Sequence, residues 1–131
     1  MTCFWDGILS SLNDKDFLKH KSRFPKSVSE LINFIKNHNT IPENIKWNNN
    51  QLSLHELQEH YNAIEEINIS DINNGYLCST CDSVLLLISY LFKIDIVHTY
   101  VNNNMIYKGE NNMHTIFYNS SSSHFTYRCR K

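Results

Sequence analysis

The sequence has few cysteines, no large excess of charge and no long apolar run. Its four cysteines, Cys3, Cys78, Cys81 and Cys129, are too few and too unevenly spaced for a secreted disulfide scaffold. The longest apolar run, residues 84–88, is far too short to span a bilayer, and no secretory signal opens the chain. We therefore expect a cytosolic protein without a membrane-spanning segment.

The charge pattern argues against two classes of partner. The net charge is −1, and the lysines and arginines are scattered. The chain has neither the basic stripe typical of nucleic-acid binding nor a basic amphipathic helix for a membrane surface. Asparagine, lysine, isoleucine, phenylalanine and tyrosine have AT-rich codons, and their frequency hints at a viral or protozoan source. For a viral protein the expected location is the host cytosol.

The first two thirds of the chain have helical periodicity. Apolar residues from Phe4 to Leu12 form one stripe, and a short second helix is predicted near residues 17–18. Capping boxes at Ser27–Glu30 and Ser53–Glu56 predict the next two helices, the second with Leu54, Leu57, Tyr61 and Ile64 inward. Between them, residues 40–50 are predicted to be a linker, and residues 67–75 a loop or short strand. A last helix, with Ser79 as its N-cap, is apolar nearly all round from residue 84 to 92, which predicts a central, covered position.

The period then changes to the alternation typical of strands. Strands are predicted over residues 94–100, 105–107, 113–118 and 124–128, with the last turn at residues 119–123. Helices followed by an antiparallel meander define the class α+β, with N-terminal helices packed on a C-terminal antiparallel sheet. At 131 residues, with no repeat and no long linker, we expect one domain over residues 1–131, acting as a monomer.

Cys3 is a candidate nucleophile because it lies at the first turn of an apolar helix. The unpaired N–H groups there stabilise a thiolate and could bind an oxyanion beside the sulfur. The alternative is a small core hydrophobe near a chain end. A thiol nucleophile also needs a base, and His124 begins the last predicted strand. In a two-layer α+β domain that strand's start and the helix N-terminus can meet at one edge, although many histidines at such junctions are ordinary.

These terminal motifs resemble those of ovarian-tumour (OTU) type cysteine proteases. Cys3–Leu9 resembles the nucleophile helix of that family, and Ser123–Tyr127 its closing strand, in which the catalytic histidine precedes an aromatic residue. The segment Asp82–Val97 is similar to the family's central apolar helix feeding a strand. Compact viral papain-like proteases share this plan. The resemblance implies a papain-like fold and a cofactor-free thiol protease that cleaves after the C-terminal tail of ubiquitin or a ubiquitin-like modifier, or at a viral polyprotein junction.

Two positions depart from the family pattern. Many members have Asp-Gly-x before the cysteine, where the aspartate helps to build the oxyanion site. Only Met1-Thr2 stands there, so that element is missing or was trimmed from a longer precursor. Members usually have Asp or Asn two residues after the histidine to orient its ring. Here that residue is Thr126, with Asn119 from the preceding loop as a substitute, and a Cys–His dyad is a further alternative. Asp6 is expected to be solvated.

A second motif, Cys78-Ser79-Thr80-Cys81, is a CxxC at a helix start. Redox chemistry of the thioredoxin type would need a surrounding βαβ pattern, which is absent. A structural zinc site would need two more ligands, for which Cys129 with His114 or His98 are candidates. The third hypothesis is that Cys78 and Cys81 are buried structural thiols. The competing hypothesis for function is therefore a non-catalytic interaction module, stapled by zinc through Cys78 and Cys81.

Overall fold

A computed structural model describes residues 3–70, 78–122 and 124–131, with only the backbone of residues 78–80. Five helices and six strands form the described part, which confirms the α+β class. The helices are α1 (Cys3–Ser11), α2 (Asp14–Leu18), α3 (Val28–Asn37), α4 (Leu54–Glu65) and α5 (Cys78–Phe92). The strands are β1 (Ile45–Trp47), β2 (Asn50–Gln51), β3 (Asp95–Tyr100), β4 (Asn103–Gly109), β5 (Thr115–Ser120) and β6 (Phe125–Arg130).

The caps of α3 and α4 explain where these helices begin. Ser53 and Glu56 form the predicted reciprocal capping box at α4. At α3 the Ser27 side chain accepts from the Glu30 amide, but the Glu30 carboxylate accepts from the Lys26 amide instead of closing the box. Leu54 was expected to face inward, yet it is 73% exposed because the buried stripe of α4 begins one turn later, at Leu57.

Helix α5 is the centre of the fold. Its side chains from Ser83 to Ser89 are at most 2% exposed, so the prediction of a covered, central helix is confirmed. The helix begins at Cys78. The prediction of Ser79 as the N-cap is therefore wrong, because an N-cap residue has extended rather than helical backbone. In the part of the chain that the structure describes, no helix is both long and apolar enough to cross a membrane.

The sheet corrects the predicted antiparallel meander. Its strand order is β2-β1-β4-β3-β5-β6, and β5 pairs with β3 in parallel, with Asp95 opposite Thr115. The reason is that β4 runs back along β3 and ends beside the start of β3, so a short crossover can begin β5 on the other side. Asp95 shapes this crossover, since its carboxylate accepts from the Gly109 amide at 3.1 Å and from Asn112 Nδ2 at 2.8 Å.

The predicted linker over residues 40–50 contains a β-hairpin. Strands β1 and β2 pair in antiparallel fashion, and β1 also pairs with β4. Asn48 and Asn49 between them have φ of 50° and 67°, the left-handed backbone of a type I′ turn, which asparagine tolerates well. The linker prediction is wrong because this turn extends the sheet by two short strands. Most of the segment predicted as a loop or short strand, residues 71–77, lies outside the described residues.

Candidate active site

Helix α1 lies along edge strand β6 with the start of one beside the start of the other. At this end the rings of Phe4 and Phe125 are 4.8 Å apart in an edge-to-face contact. At the other end Arg130 Nη1 donates to the Ser11 carbonyl at 3.1 Å. The Ser11 and Tyr118 hydroxyls also share a hydrogen bond of 2.5 Å, which ties the end of α1 to β5. Because both ends are tied, the helix N-terminus and the start of β6 lie together.

Gly7 permits the close approach of α1 to β6. A Cβ atom at this buried position would lie 2.9 Å from Phe125 Cδ1 and 3.1 Å from Phe125 Cε1. The first distance is shorter than real Cβ contacts, and the Phe125 ring cannot move away easily because it is 8% exposed and packed on the Phe4 ring. The absence of a side chain at Gly7 is therefore what lets the two elements touch.

Gly7→Val is expected to destabilise the fold by about 1–3 kcal/mol, the usual cost of overpacking a core. Helix propensity alone predicts the opposite sign, since valine is a better helix former than glycine. Denaturant unfolding measures the change. Ser10→Val, at an exposed position of the same helix, is the matched control and should change stability much less. A Gly7→Val protein as stable as the wild type would contradict the close packing of α1 on β6.

The buried pair Asp16–Arg130 ties the far end of β6 to the start of α2. Arg130 Nη1 and Nη2 donate to the two carboxylate oxygens at 2.7 and 2.9 Å, and the Asp16 side chain is 1% exposed. Burial opposes ionisation of Asp16. The Arg130 side chain and the Asn13 backbone amide both donate hydrogen bonds to the Asp16 carboxylate. Together with the positive charges of Arg130 and Lys19, these bonds outweigh burial and lower the pKa of Asp16.

Cys3 and His124 lie directly before the two residues whose rings touch. Cys3 is the first residue of α1 and a half-buried free thiol. His124 is the residue before β6, its side chain is exposed, and its carbonyl accepts from the Ser121 amide at 2.8 Å. The prediction that the helix N-terminus and the start of the closing strand meet at one edge is confirmed by the Phe4–Phe125 contact. Cys3 is partly buried against the hydrophobic core, whereas Asp6 is exposed as expected.

The two candidates for orienting His124 are neighbours on the sheet. Thr126 lies on β6 and Asn119 is its register partner on β5, and both are exposed. Alternation places Thr126 on the face opposite Phe125. Asn119 was predicted in the loop before β6 but belongs to β5, because pairing with β6 continues to Ser120. Among the described residues, no hydrogen bond joins either side chain to His124.

His98 is the residue near this site that sequence reasoning did not connect with it. It lies on β3, is 4% exposed, and its ring is 5.4 Å from that of Phe125. Its Nε2 shares a hydrogen bond of 2.6 Å with Ser120 Oγ. Burial lowers the pKa of His98 although the Asp82 carboxylate raises it. The alternation Ile94, Ile96, His98 is the sequence signal that this histidine faces the core.

The N-terminal end of α5 contains a separate polar cluster. Tyr107 donates its hydroxyl to the Asp82 carboxylate at 2.8 Å, and His60 Nδ1 shares a hydrogen bond of 2.8 Å with Ser83. Burial raises the pKa of Tyr107 and lowers that of His60. Trp47 stacks on Tyr107 at 5.9 Å, so the cluster joins α5 to the sheet and to α4.

The zinc hypothesis gains no support from the side chains that the structure describes. Cys81 and Cys129 are both half-buried, and Cys129 is a free thiol. No group of three or more histidine, cysteine, aspartate or glutamate side chains that could hold a metal occurs among the described residues, which include His98 and His114. The Cys78 side chain lies outside the described residues.

His60 and His98 predict how stability depends on pH. Burial lowers the pKa of both histidines. For His60 this effect outweighs the negative charges of Asp82, Glu56 and Glu59, which raise the pKa. At a pH between the lowered pKa of the folded protein and the ordinary histidine pKa of about 6.5, the unfolded chain binds more protons than the folded protein. We therefore expect a stability plateau above about pH 6.5 and a loss as the pH falls below it.

The measurement is the free energy of unfolding from pH 8 to pH 5. The double variant His60→Gln/His98→Gln should have a flatter slope than the wild type in the same range. His55→Gln is the control, because His55 is exposed and its ion pair with Glu59 is exposed as well. A wild-type free energy of unfolding that increases as the pH falls from 7 to 5.5 would contradict the lowered pKa values of His60 and His98.

Comparison with known proteins gives no relative from which function could be transferred. No protein-family model, no curated protein and no solved structure matches this chain. The function is therefore argued from the residues of the site and their geometry.

Proposed function

We propose that the chain is a cysteine protease of the OTU type. It would act on the C-terminal tail of ubiquitin or a ubiquitin-like protein, or on a viral polyprotein junction. The observation that supports this most is the contact of Phe4 with Phe125, which brings the residues just before them, Cys3 and His124, to one end of the domain. A thiol at a helix N-terminus, with an exposed histidine at the same end of the domain, provides the two groups that nucleophilic catalysis needs.

In this mechanism the Cys3 thiolate attacks the carbonyl carbon of the scissile bond after His124 has taken the thiol proton. The negative charge that forms on the carbonyl oxygen is stabilised by N–H groups of the first turn of α1. Collapse of the tetrahedral intermediate breaks the C–N bond, and the imidazolium of His124 protonates the leaving amine. Water, deprotonated by His124, then hydrolyses the thioester and returns the free thiol.

Thr126 and Asn119 are the candidates for orienting the His124 ring in this mechanism. Thr126 lies two residues after His124, and Asn119, the substitute for it, is its register partner on β5. A threonine hydroxyl or an amide oxygen can accept from imidazole N–H, but neither contributes the charge of an aspartate. A neutral orienting group should therefore stabilise the imidazolium less than the aspartate that many family members have.

The test is covalent labelling with a ubiquitin probe whose C-terminus carries an electrophile. A thiol protease of this type forms a stable adduct, and peptide mass spectrometry should find it on Cys3 rather than on Cys81 or Cys129. Cys3→Ser is the matched control and should not react. A ubiquitin-like probe and a polyprotein-junction peptide test the other substrates. A folded sample that none of these substrates labels and that cleaves none of them would contradict the proposal.

A further inference from the structure

His98 is a buried polar residue that makes only part of its hydrogen bonds. It is 4% exposed, its Nε2 bonds to Ser120 Oγ at 2.6 Å, and its Nδ1 has no partner among the described residues. Buried polar atoms without a partner destabilise a fold, and an apolar side chain would fill this place without that cost. The single bond to Ser120 is therefore the interaction that this histidine supplies.

Ser120 lies at the base of the turn that contains His124. It is the last residue of β5 and is the register partner of Phe125, the first residue of β6. The next amide along the chain, that of Ser121, donates to the His124 carbonyl at 2.8 Å. The His98 ring also contacts the Phe125 ring, with centroids 5.4 Å apart. His98 thus touches the residues at both ends of the turn.

We propose that His98 is a positioning residue for His124. It holds Ser120 and Phe125, and through them it fixes the β5–β6 turn so that the His124 imidazole stays beside Cys3. This inference rests on the proposed Cys3–His124 pair. It also assigns the direction of the hydrogen bond: Nε2–H donates to Ser120 Oγ, because the other tautomer would bury an N–H group with no acceptor.

The test uses two matched pairs of variants. His98→Leu removes the donor but fills the space, whereas His98→Gln keeps an N–H donor near the position of Nε2. Ser120→Ala removes the hydroxyl, whereas Ser120→Thr keeps it. The readout is the rate of Cys3 alkylation by iodoacetamide at about pH 6.5, where an unassisted thiol is mostly protonated. His98→Leu and Ser120→Ala should each lower this rate about tenfold, the usual size of an outer-shell effect, and the conservative variants should recover most of it.

A double-mutant cycle separates positioning from general loosening of the fold. If His98 acts through His124, His98→Leu should slow alkylation in the wild-type background and cause no further loss in His124→Ala. An equal loss in both backgrounds would overturn the proposal, since His98 would then affect Cys3 without His124. Equal rates for His98→Leu and His98→Gln would overturn it as well, because the hydrogen bond would not matter.

A second measurement distinguishes failure of this inference from failure of the proposed protease. If His124→Ala leaves the wild-type alkylation rate unchanged, the catalytic pair is wrong. Whether His98 fixes the β5–β6 turn is then tested by hydrogen exchange at the Ser121 amide. Exchange that is at least about tenfold faster in His98→Leu, and normal in His98→Gln, supports the hold. Exchange at the wild-type rate in both variants overturns it.

Discussion

Replacement of Arg130 by alanine is expected to lower the free energy of unfolding by about 3–5 kcal/mol, the range for removing one partner of a buried ion pair. The variant would leave the Asp16 carboxylate, 1% exposed, without the two hydrogen bonds and the positive charge that compensate its burial. It would also remove the bond to the Ser11 carbonyl at the end of α1. Chemical denaturation followed by fluorescence or circular dichroism measures the loss.

Two variants make the experiment specific to this ion pair. Arg128→Ala removes an exposed arginine from the same strand and should change stability by at most about 0.5 kcal/mol. Arg130→Lys keeps the charge but loses the bidentate geometry, so it should fall between the wild type and Arg130→Ala. If Arg130→Ala and Arg128→Ala had equal stability, the buried pair would not tie β6 to the helices.

Phe125→Ala is expected to cost about 3–5 kcal/mol, the range for deleting a buried aromatic ring. Its ring contacts the rings of Phe4 at 4.8 Å, Tyr118 at 4.9 Å and His98 at 5.4 Å. The cavity would lie between α1 and β6, next to Cys3 and His124. We therefore expect slower alkylation of Cys3 in Phe125→Ala even under conditions where the protein remains folded.

Phe117→Ala is the matched control for this ring. Phe117 lies on neighbouring strand β5, is only half-buried, and has the Lys131 ammonium 5.5 Å from its centroid. Its removal should cost less stability and leave the reactivity of Cys3 unchanged. Phe125→Leu, which fills more of the space than alanine, should have an intermediate stability. Equal losses in Phe125→Ala and Phe117→Ala would argue against Phe125 as the contact that joins the site.

Local sequence patterns could predict the helical part of the fold. The apolar stripe from Phe4 predicts α1, the Ser53–Glu56 box predicts the start of α4, and the all-round apolar run predicts the central α5. Each of these signals lies within a few residues of the structure that it predicts, so no distant contact is needed. Alternation likewise predicts four of the six strands.

Pairing between distant segments could not be predicted from these patterns. The parallel pairing of β3 with β5 depends on the crossover shaped by Asp95, which local alternation does not encode. The β1–β2 hairpin is too short for alternation to reveal it, and its signal is only the Asn48-Asn49 turn. The Asp16–Arg130 pair joins residues 114 positions apart.

The candidate site could be predicted only in part, because some of its features are local in sequence and others depend on tertiary contacts. Cys3 and His124 could be selected because each begins an element with an apolar residue directly after it. The Phe4–Phe125 contact that brings them together is a tertiary contact, and the sequence could only make it plausible through the fold class. The hydrogen bond between His98 and Ser120 depends on the register of β3 and β5, which no local sequence pattern encodes.

The central claim is that Cys3 and His124 work as a pair, and the pH dependence of Cys3 alkylation by iodoacetamide tests it most directly. The rates are measured in the wild type and in His124→Ala, with mass spectrometry assigning the modified cysteine. We predict that Cys3 reacts well below pH 8, where the ordinary thiol with a pKa of about 8.5 is mostly protonated, and that His124→Ala abolishes this reactivity. Absence of Cys3 alkylation well below pH 8, with the same pH profile in both proteins, would contradict the pair and with it the proposed protease.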